Sequence, residues 1–283
     1  QLQDELLMRG GRALGSRGFT LIELVAVIVI LGILGIATSK YIVFGTQLYV
    51  EGTARQVTLS KSRFIVDRLS REIRRAIPYS IRISADNACL QFLPIKASGA
   101  YRDDASAVAP PISPVSGNSL DVVSWNGDYD TGDRLYIYGT QASHFYSDTN
   151  RYKVLSSLAP DPPNPDATLT FNSGVNPNAF VQGSPINRYF TTASTVYFCV
   201  YNGKMYRYES SSITSSQLSA FAIRTLGVLM VEGLTNTLAS EPPFSYQSGA
   251  LFRNSVVNLY LEFNANVAEN MFFNQEVHIP NVP

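Results

Sequence analysis

Hydrophobicity along the chain changes character in stages. From Phe19 to Thr38 nearly every position is apolar, and the 20 residues hold one ionisable side chain, Glu23. A run of that length can cross a bilayer as a helix. From Lys40 to Ile77 the pattern becomes amphipathic. Ile65, Leu69, Ile73 and Ile77 recur at four-residue spacing, and Phe64, Val66 and Ala76 widen the stripe. Arg63, Asp67, Arg68, Arg71, Glu72, Arg74 and Arg75 take most of the other positions. That is one apolar face and one charged face at helical period. The charged face reads as solvated, or as a contact with a neighbouring subunit. Gly32, Gly35, Gly45 and Gly52 mark expected bends or looser turns. Pro78 stops the helix, and an alternating segment starts at Tyr79.

Beyond Tyr79 the period falls to two. Tyr79–Ser84 and Ala88–Ile95 flank Ala85-Asp86-Asn87 and predict a hairpin. Residues 96–119, rich in Ala, Ser, Pro and Gly, read as an excursion with little regular structure. Leu120–Trp125 and Arg134–Thr140 are strand candidates. Residues 141–166 read as loop, Ala167–Phe171 as a short strand, and the stretch through Arg188 as a second loop. Thr195–Tyr201 and Lys204–Glu209 flank Asn202-Gly203, a strong hairpin signal. Ser210–Ser219 is a polar link and Leu226–Val231 is strand-like. Val256–Phe263 places Val257, Leu259, Leu261 and Phe263 on one face, and Gln275–Ile279 is a last short strand. No internal repeat or domain linker is visible. About 200 residues in one head suffice to bury a good core.

Charge changes this picture little. The 22 basic and 22 acidic residues cancel, which gives no electrostatic case for nucleic-acid binding. The distribution says more. Arg9, Arg12 and Arg17 precede the apolar run and Lys40 follows it, so the positive-inside rule puts the N-terminus in the cytoplasm and the remainder in the periplasm or beyond. Because residue 1 is Gln, Met8 offers a translation start, which would give a short basic leader from Met8 to Gly18. Residues 1–18 are set aside from the fold on this reading. The two cysteines, Cys89 and Cys199, both lie in strand-like stretches. An oxidising compartment favours a disulfide between them, and two separately buried thiols are the alternative.

The order Arg17-Gly18-Phe19-Thr20-Leu21-Ile22-Glu23-Leu24, a basic leader closed by glycine and a glutamate five positions on, resembles the signal of type IV prepilins. The resemblance implies cleavage between Gly18 and Phe19 by a prepilin peptidase, N-methylation of the new Phe19 amine, and retention of the apolar helix as membrane anchor and assembly element. It further implies that Glu23 of an incoming subunit pairs with the amino terminus of a neighbour. A lone carboxylate in hydrocarbon gains much from such a cation. The plainer reading is a single-pass anchor with an incidental Glu23. Residues 63–78 running into Ser80-Ile81-Arg82-Ile83, then Cys89-Leu90-Gln91-Phe92-Leu93-Pro94-Ile95 and the tail from Glu276 to Pro283, are similar to the large minor pilins of the MSHA (mannose-sensitive haemagglutinin) type IV pilus. Minor pseudopilins of type II secretion share the helix features and are usually shorter. The implied partners are the peptidase, other major and minor pilins, inner-membrane assembly machinery and membrane lipid. After assembly the subunit would lie in a pilus on the cell surface.

Other candidate chemistry is weaker. Asp128, Asp130 and Asp133 supply oxygen ligands at a spacing that could hold Ca²⁺. They lack the frame of an EF-hand, and Asp and Gly are ordinary turn residues before a strand. His144 and His278 stand far apart without further ligands at zinc spacing. Neither a G-x-S-x-G elbow nor a phosphate-binding loop is present, so no catalytic residue is assigned, no cofactor is expected and an enzyme is not. Sixteen tyrosines and Trp125 would suit a sugar-binding or adhesive surface. However, Tyr136, Tyr138, Tyr197, Tyr201, Tyr206, Tyr208 and Tyr260 fall inside strand patterns, where packing explains them.

The sequence therefore predicts an α+β pilin fold. Residues 1–18 form a leader, 19–38 a membrane and assembly helix, 39–78 an amphipathic helix, and 79–283 a head built on a mainly antiparallel sheet with long loops. The expected function is that of a non-enzymatic minor pilin that primes or caps pilus assembly, with a secretion pseudopilin or a pilus-tip adhesin as alternatives.

Overall fold

The computed structural model describes residues 18–102, 118–123, 125, 127–160, 166–176, 180, 182–249, 253–266 and 269–280. Met8 and the rest of the leader before Gly18, the centre of the 96–119 excursion and the last three tail residues lie outside the described residues. The chain divides into two compact units, Gln1–Thr53 and Ala54–Pro283. One helix, α1 (Leu21–Arg74), runs through the boundary. In the first unit it is unbroken at Gly32, Gly35, Gly45 and Gly52, so the bends expected there do not interrupt it. All its side chains there are exposed.

In the second unit the stripe on α1 becomes buried. Ile65, Leu69 and Ile73 are fully enclosed, with Val66 beside them. Burial of each such side chain is worth about 1.5–3 kcal/mol relative to exposure. Phe64 instead remains 51% exposed, because it sits about 100° round the helix from Ile65, away from the sheet. The helix ends at Arg74 rather than at Ile77. Pro78 disfavours helical backbone at Ile77, and a better partner is available. The Ile77 N–H donates to the Leu93 carbonyl (2.8 Å), the Ile95 N–H donates to the Arg75 carbonyl (2.8 Å), and Ala76 bridges to Pro94.

The strands follow as β1 (Arg82–Ile83), β2 (Cys89–Phe92), β3 (Ala97–Tyr101), β4 (Ser119–Val123), β5 (Arg134–Ile137), β6 (Tyr152–Pro160), β7 (Ala167–Phe171) and β8 (Arg188–Thr192). After them come β9 (Thr195–Tyr201), β10 (Lys204–Ser210), β11 (Val228–Glu232), β12 (Phe244–Gln247), β13 (Ser255–Asn266) and β14 (Glu269–Ile279). Among the described residues, the short α-helices α2 (Ala142–Tyr146) and α3 (Ala220–Leu226) and a 3-10 turn at Thr149–Arg151 lie between them. The predicted hairpins form: β1 pairs with β2, and β9 with β10 across Asn202-Gly203, both central turn residues having positive φ.

The head is built on antiparallel strands, as expected, and they fall into three groups. It contains a five-stranded sheet in the order β1-β2-β9-β10-β11, a three-stranded sheet β12-β13-β14, and a closed barrel β3-β4-β7-β6-β5-β8. Ile65, Leu69 and Ile73 of α1 share one core with Leu90 and Phe198 of the first sheet and Val257, Leu259 and Leu261 of the second. The barrel has its own interior, which includes Leu120, Leu135, Leu155, Leu169 and Tyr189.

Several loop expectations are overturned. Within 96–119, Ala97–Tyr101 is a strand, because β8 and β4 offer hydrogen bonds along its two sides despite its small residues. Its Gly99 lets the Tyr189 ring lie against the backbone, since an added Cβ would meet Tyr189 Oη at 2.8 Å. Within 141–166, α2 and the nine-residue β6 replace the expected loop. Leu226 closes α3 instead of opening a strand. Strands β8 and β12 form in stretches without a strand pattern of their own, and β14 is longer than Gln275–Ile279 because β13 pairs with it along its length.

Candidate functional site

The strongest candidate lies at the start of α1. Gly18, Phe19 and Thr20 precede the helix, and Thr20 caps it. The Thr20 hydroxyl accepts the Glu23 N–H (3.3 Å), and the Thr20 carbonyl accepts the Leu24 N–H (3.2 Å). Glu23 thus occupies the third helical position, where the positive end of the helix dipole favours a carboxylate. Threonine followed three residues later by glutamate is a capping-box pattern, a helix-start signal present in the sequence. Phe19, Leu21, Ile22 and Leu24 around it are between 55% and 83% exposed. Among the described residues, no cation is paired with the Glu23 carboxylate. This arrangement is an anionic group held at a helix start within an apolar surface. An ionised carboxylate in such a setting is costly in lipid unless a cation neutralises it.

The two cysteines come together. Cys89 of β2 and Cys199 of β9 are directly opposite in register and form a disulfide, with Cα atoms 4.1 Å apart. Both are fully buried beside Tyr197 and Ile223. The acidic turn is occupied differently from the calcium expectation. Lys96 Nζ lies 2.6 Å from Asp130 and 2.7 Å from Asp133, and the Asp133 carboxylate also accepts the Asp130 N–H. Burial opposes the Lys96 charge, but these two carboxylates outweigh it and raise the amine's pKa. The positive charge at this turn is thus supplied by the chain itself; Asp128 is exposed nearby.

His144 receives the Thr140 N–H at Nδ1 and contacts Gln141, while His278 lies 3.7 Å from Glu276. The aromatic residues divide. Tyr136 and Tyr197 are buried, and Trp125 stacks on Tyr189 in the barrel. Burial pushes the Tyr136 phenol up to about 12, and its hydroxyl donates to the Phe145 carbonyl. Tyr260 is different: it faces outward, stacked on the exposed Phe272. The charged face of α1 also divides. Arg63, Asp67, Arg71, Arg74 and Arg75 are exposed, whereas Glu72 pairs with Arg68 (2.9 Å) and with Arg207 of β10 (2.8 Å).

A family model described as the prokaryotic N-terminal methylation motif matches residues 14–39. The match contains Gly18, Phe19, Thr20 and Glu23. No curated protein and no solved structure matches the chain significantly. The motif supports a type IV pilin or pseudopilin subunit, processed by prepilin peptidase and assembled with other pilins. The long apolar helix joined to antiparallel sheets in an α+β architecture is consistent with the type IV pilin fold. The helix is long and apolar enough to cross a membrane, and with the motif it supports single-pass anchoring.

Proposed function

We propose that the chain is a non-enzymatic minor pilin that primes or caps assembly of an MSHA-type pilus. The observation that carries the assembly role is Glu23, the one ionisable side chain between Phe19 and Thr38, held at the capped start of α1. In this reading prepilin peptidase hydrolyses the Gly18–Phe19 bond on the cytoplasmic side and the freed Phe19 amine is N-methylated. Residues 19–38 stay in lipid, with residues 39–78 and the head 79–283 on the periplasmic side. The inner-membrane machinery then draws the subunit into the filament as Glu23 pairs with the terminal amine of a neighbour, so neither charge remains alone in an apolar setting.

The MSHA assignment, and within it the minor pilin MshO, rests on the segments around Arg63–Pro78, Cys89–Ile95 and Glu276–Pro283. A minor pseudopilin of a type II secretion system fits the same helix start, and the gene neighbourhood separates the two. The role of Glu23 is tested with Glu23→Gln and Glu23→Ala. Both variants should be cleaved normally and be depleted from sheared filaments while remaining in membranes. Wild-type incorporation of either variant contradicts the role.

A further inference from the structure

Strand β14 is the outermost strand of β12-β13-β14 and has 11 residues, about twice the usual strand length. β13 pairs along one side of it, and among the described residues no strand pairs with the other. An open side of that kind presents a row of unpaired backbone N–H and C=O groups. Folded proteins keep such edges short, bulged, covered, or marked with lysine or proline, because an open edge takes up another strand. The other edges of the head are protected in these ways. β1 has two residues. β11 has five, and its register with β10 shifts at Met205–Tyr206. β12 has four and follows Pro242-Pro243. The barrel closes on itself. β14 has no such guard: no proline, lysine or arginine lies within it, and its register with β13 is regular from Asn270 opposite Asn264 to Ile279 opposite Ser255.

The two faces of β14 specify what an added strand must carry. On the inward face Val277 and Ile279 are buried, whereas Met271 and Phe273 are only half-buried. Phe273 meets the Phe263 ring edge-on, with centroids 6.0 Å apart, and packs against the shared core from its margin. Apolar side chains from a further strand would complete the cover over Met271 and Phe273. On the outward face Asn270, Phe272, Asn274, Glu276 and His278 are exposed. Glu276 lies beside the open edge, 3.7 Å from His278. Glu262 of β13 is one strand further in and accepts the Asn270 Nδ2 hydrogen (3.0 Å). None of the three strands contains lysine or arginine, so this face carries carboxylates without a strong cation of its own.

We propose that the open side of β14 takes up an extended segment of another polypeptide as a fourth strand, and that the segment alternates apolar with basic residues. Backbone pairing with β14 supplies the docking, and the alternation supplies the selection. The apolar row lies over Met271 and Phe273, and the basic row lies beside Glu276 and within reach of Glu262. A second copy of this sheet is a poorer occupant. Full-length antiparallel pairing of two β14 strands centres on Asn274, sets Glu276 opposite Phe272, and brings no lysine or arginine to either acidic face. A partner helix would leave the edge's backbone groups unpaired. The inference stands whether the subunit serves a pilus or a secretion system.

The test uses the full-length chain in neutral detergent micelles and a fluorescent ten-residue peptide alternating valine and lysine, with empty micelles as the blank. One control peptide alternates valine and glutamate. Another keeps the valine–lysine sequence but is N-methylated at every backbone nitrogen. Fluorescence anisotropy should show binding of the first peptide alone. Glu276→Lys, at an exposed position, should weaken that binding about fivefold and favour the valine–glutamate peptide, with an unchanged thermal midpoint. Hydrogen exchange should show new protection in β14 and none in β11. These results together support the site. Several results overturn it: no binding above the blank, equal binding of the N-methylated peptide, affinity indifferent to Glu276→Lys, or protection outside β14. Self-association of the chain that protects β14 without any peptide also overturns it, and identifies a second copy as the occupant.

Discussion

Removing the Cys89–Cys199 bond isolates one term in the head's stability. The bond spans 110 residues of sequence. On the chain-entropy account, releasing a loop of that size returns about 4.8 kcal/mol of conformational freedom to the unfolded chain. Native-state losses should be small by comparison. β2 and β9 remain paired along their register from Cys89 opposite Cys199 to Phe92 opposite Val196, and β10 still flanks β9. Two small buried sulfur atoms are lost, and alanine leaves no unsatisfied polar group in their place. The expected cost of Cys89→Ala/Cys199→Ala is thus about 3–5 kcal/mol, against a typical total of about 5–15 kcal/mol for a domain. The assay is urea unfolding of the full-length chain in micelles, followed by near-ultraviolet circular dichroism and Trp125 emission. The double variant should show a lower midpoint and a steeper denaturant dependence, because its unfolded state is more open. A reductant should reproduce the loss in the parent and do nothing to the variant. A loss below about 1 kcal/mol with an unchanged slope would refute the loop-closure reasoning.

Three further outcomes follow from the packing. Leu69→Ala, at a fully enclosed position between α1 and the sheets, should cost about 3–4 kcal/mol in the same unfolding assay. Gly203→Ala should cost about 1–2 kcal/mol, since Gly203 has φ of +69° and an added Cβ would meet the Leu234 carbonyl oxygen at 2.9 Å, whereas Asn202→Gly should be nearly neutral. Glu209 is partly buried, which raises its pKa, but the Ser194 hydroxyl (2.7 Å) and the Arg207 guanidinium (2.9 Å) outweigh this and lower it overall. The stability it adds is present above the ordinary carboxylate pKa and is lost as pH falls through the lowered one. Thermal midpoints measured from neutral to acid pH should therefore fall less steeply in Glu209→Gln, by a small margin because solvent screens the pair.

The elements legible in the sequence are those with a strong local period. The apolar run after Gly18 and the stripe Ile65, Leu69, Ile73 specify α1 without help from the rest of the chain. Asn202-Gly203 specifies its hairpin because few other dipeptides accept positive φ at both positions. The barrel was not legible. Its strand Ala97–Tyr101 has small residues and no large apolar alternation, and it is a strand because β4 and β8 provide its hydrogen bonds. Chain-order patterns do not encode such closure. Helix α3 carried a readable signal in Ser219, whose hydroxyl accepts the Ala222 N–H, but its span is short and runs directly into β11. At the candidate site Glu23 stands out by charge in an apolar run, and Thr20 three residues before it is the matching cap signal. The outward pairing of Tyr260 with Phe272 depends on the β13–β14 register, which the sequence shows only once β14 is known to extend back to Glu269.

The central claim is that the chain is processed between Gly18 and Phe19 to become an assembly subunit. Intact mass of the protein, taken from membranes and sheared filaments with and without an active prepilin peptidase, tests it most directly. The account predicts a chain that starts at N-methyl-Phe19 only where the peptidase is active, which makes Glu23 its fifth residue. A chain that retains Gly18 in both strains would contradict it and leave an ordinary membrane anchor.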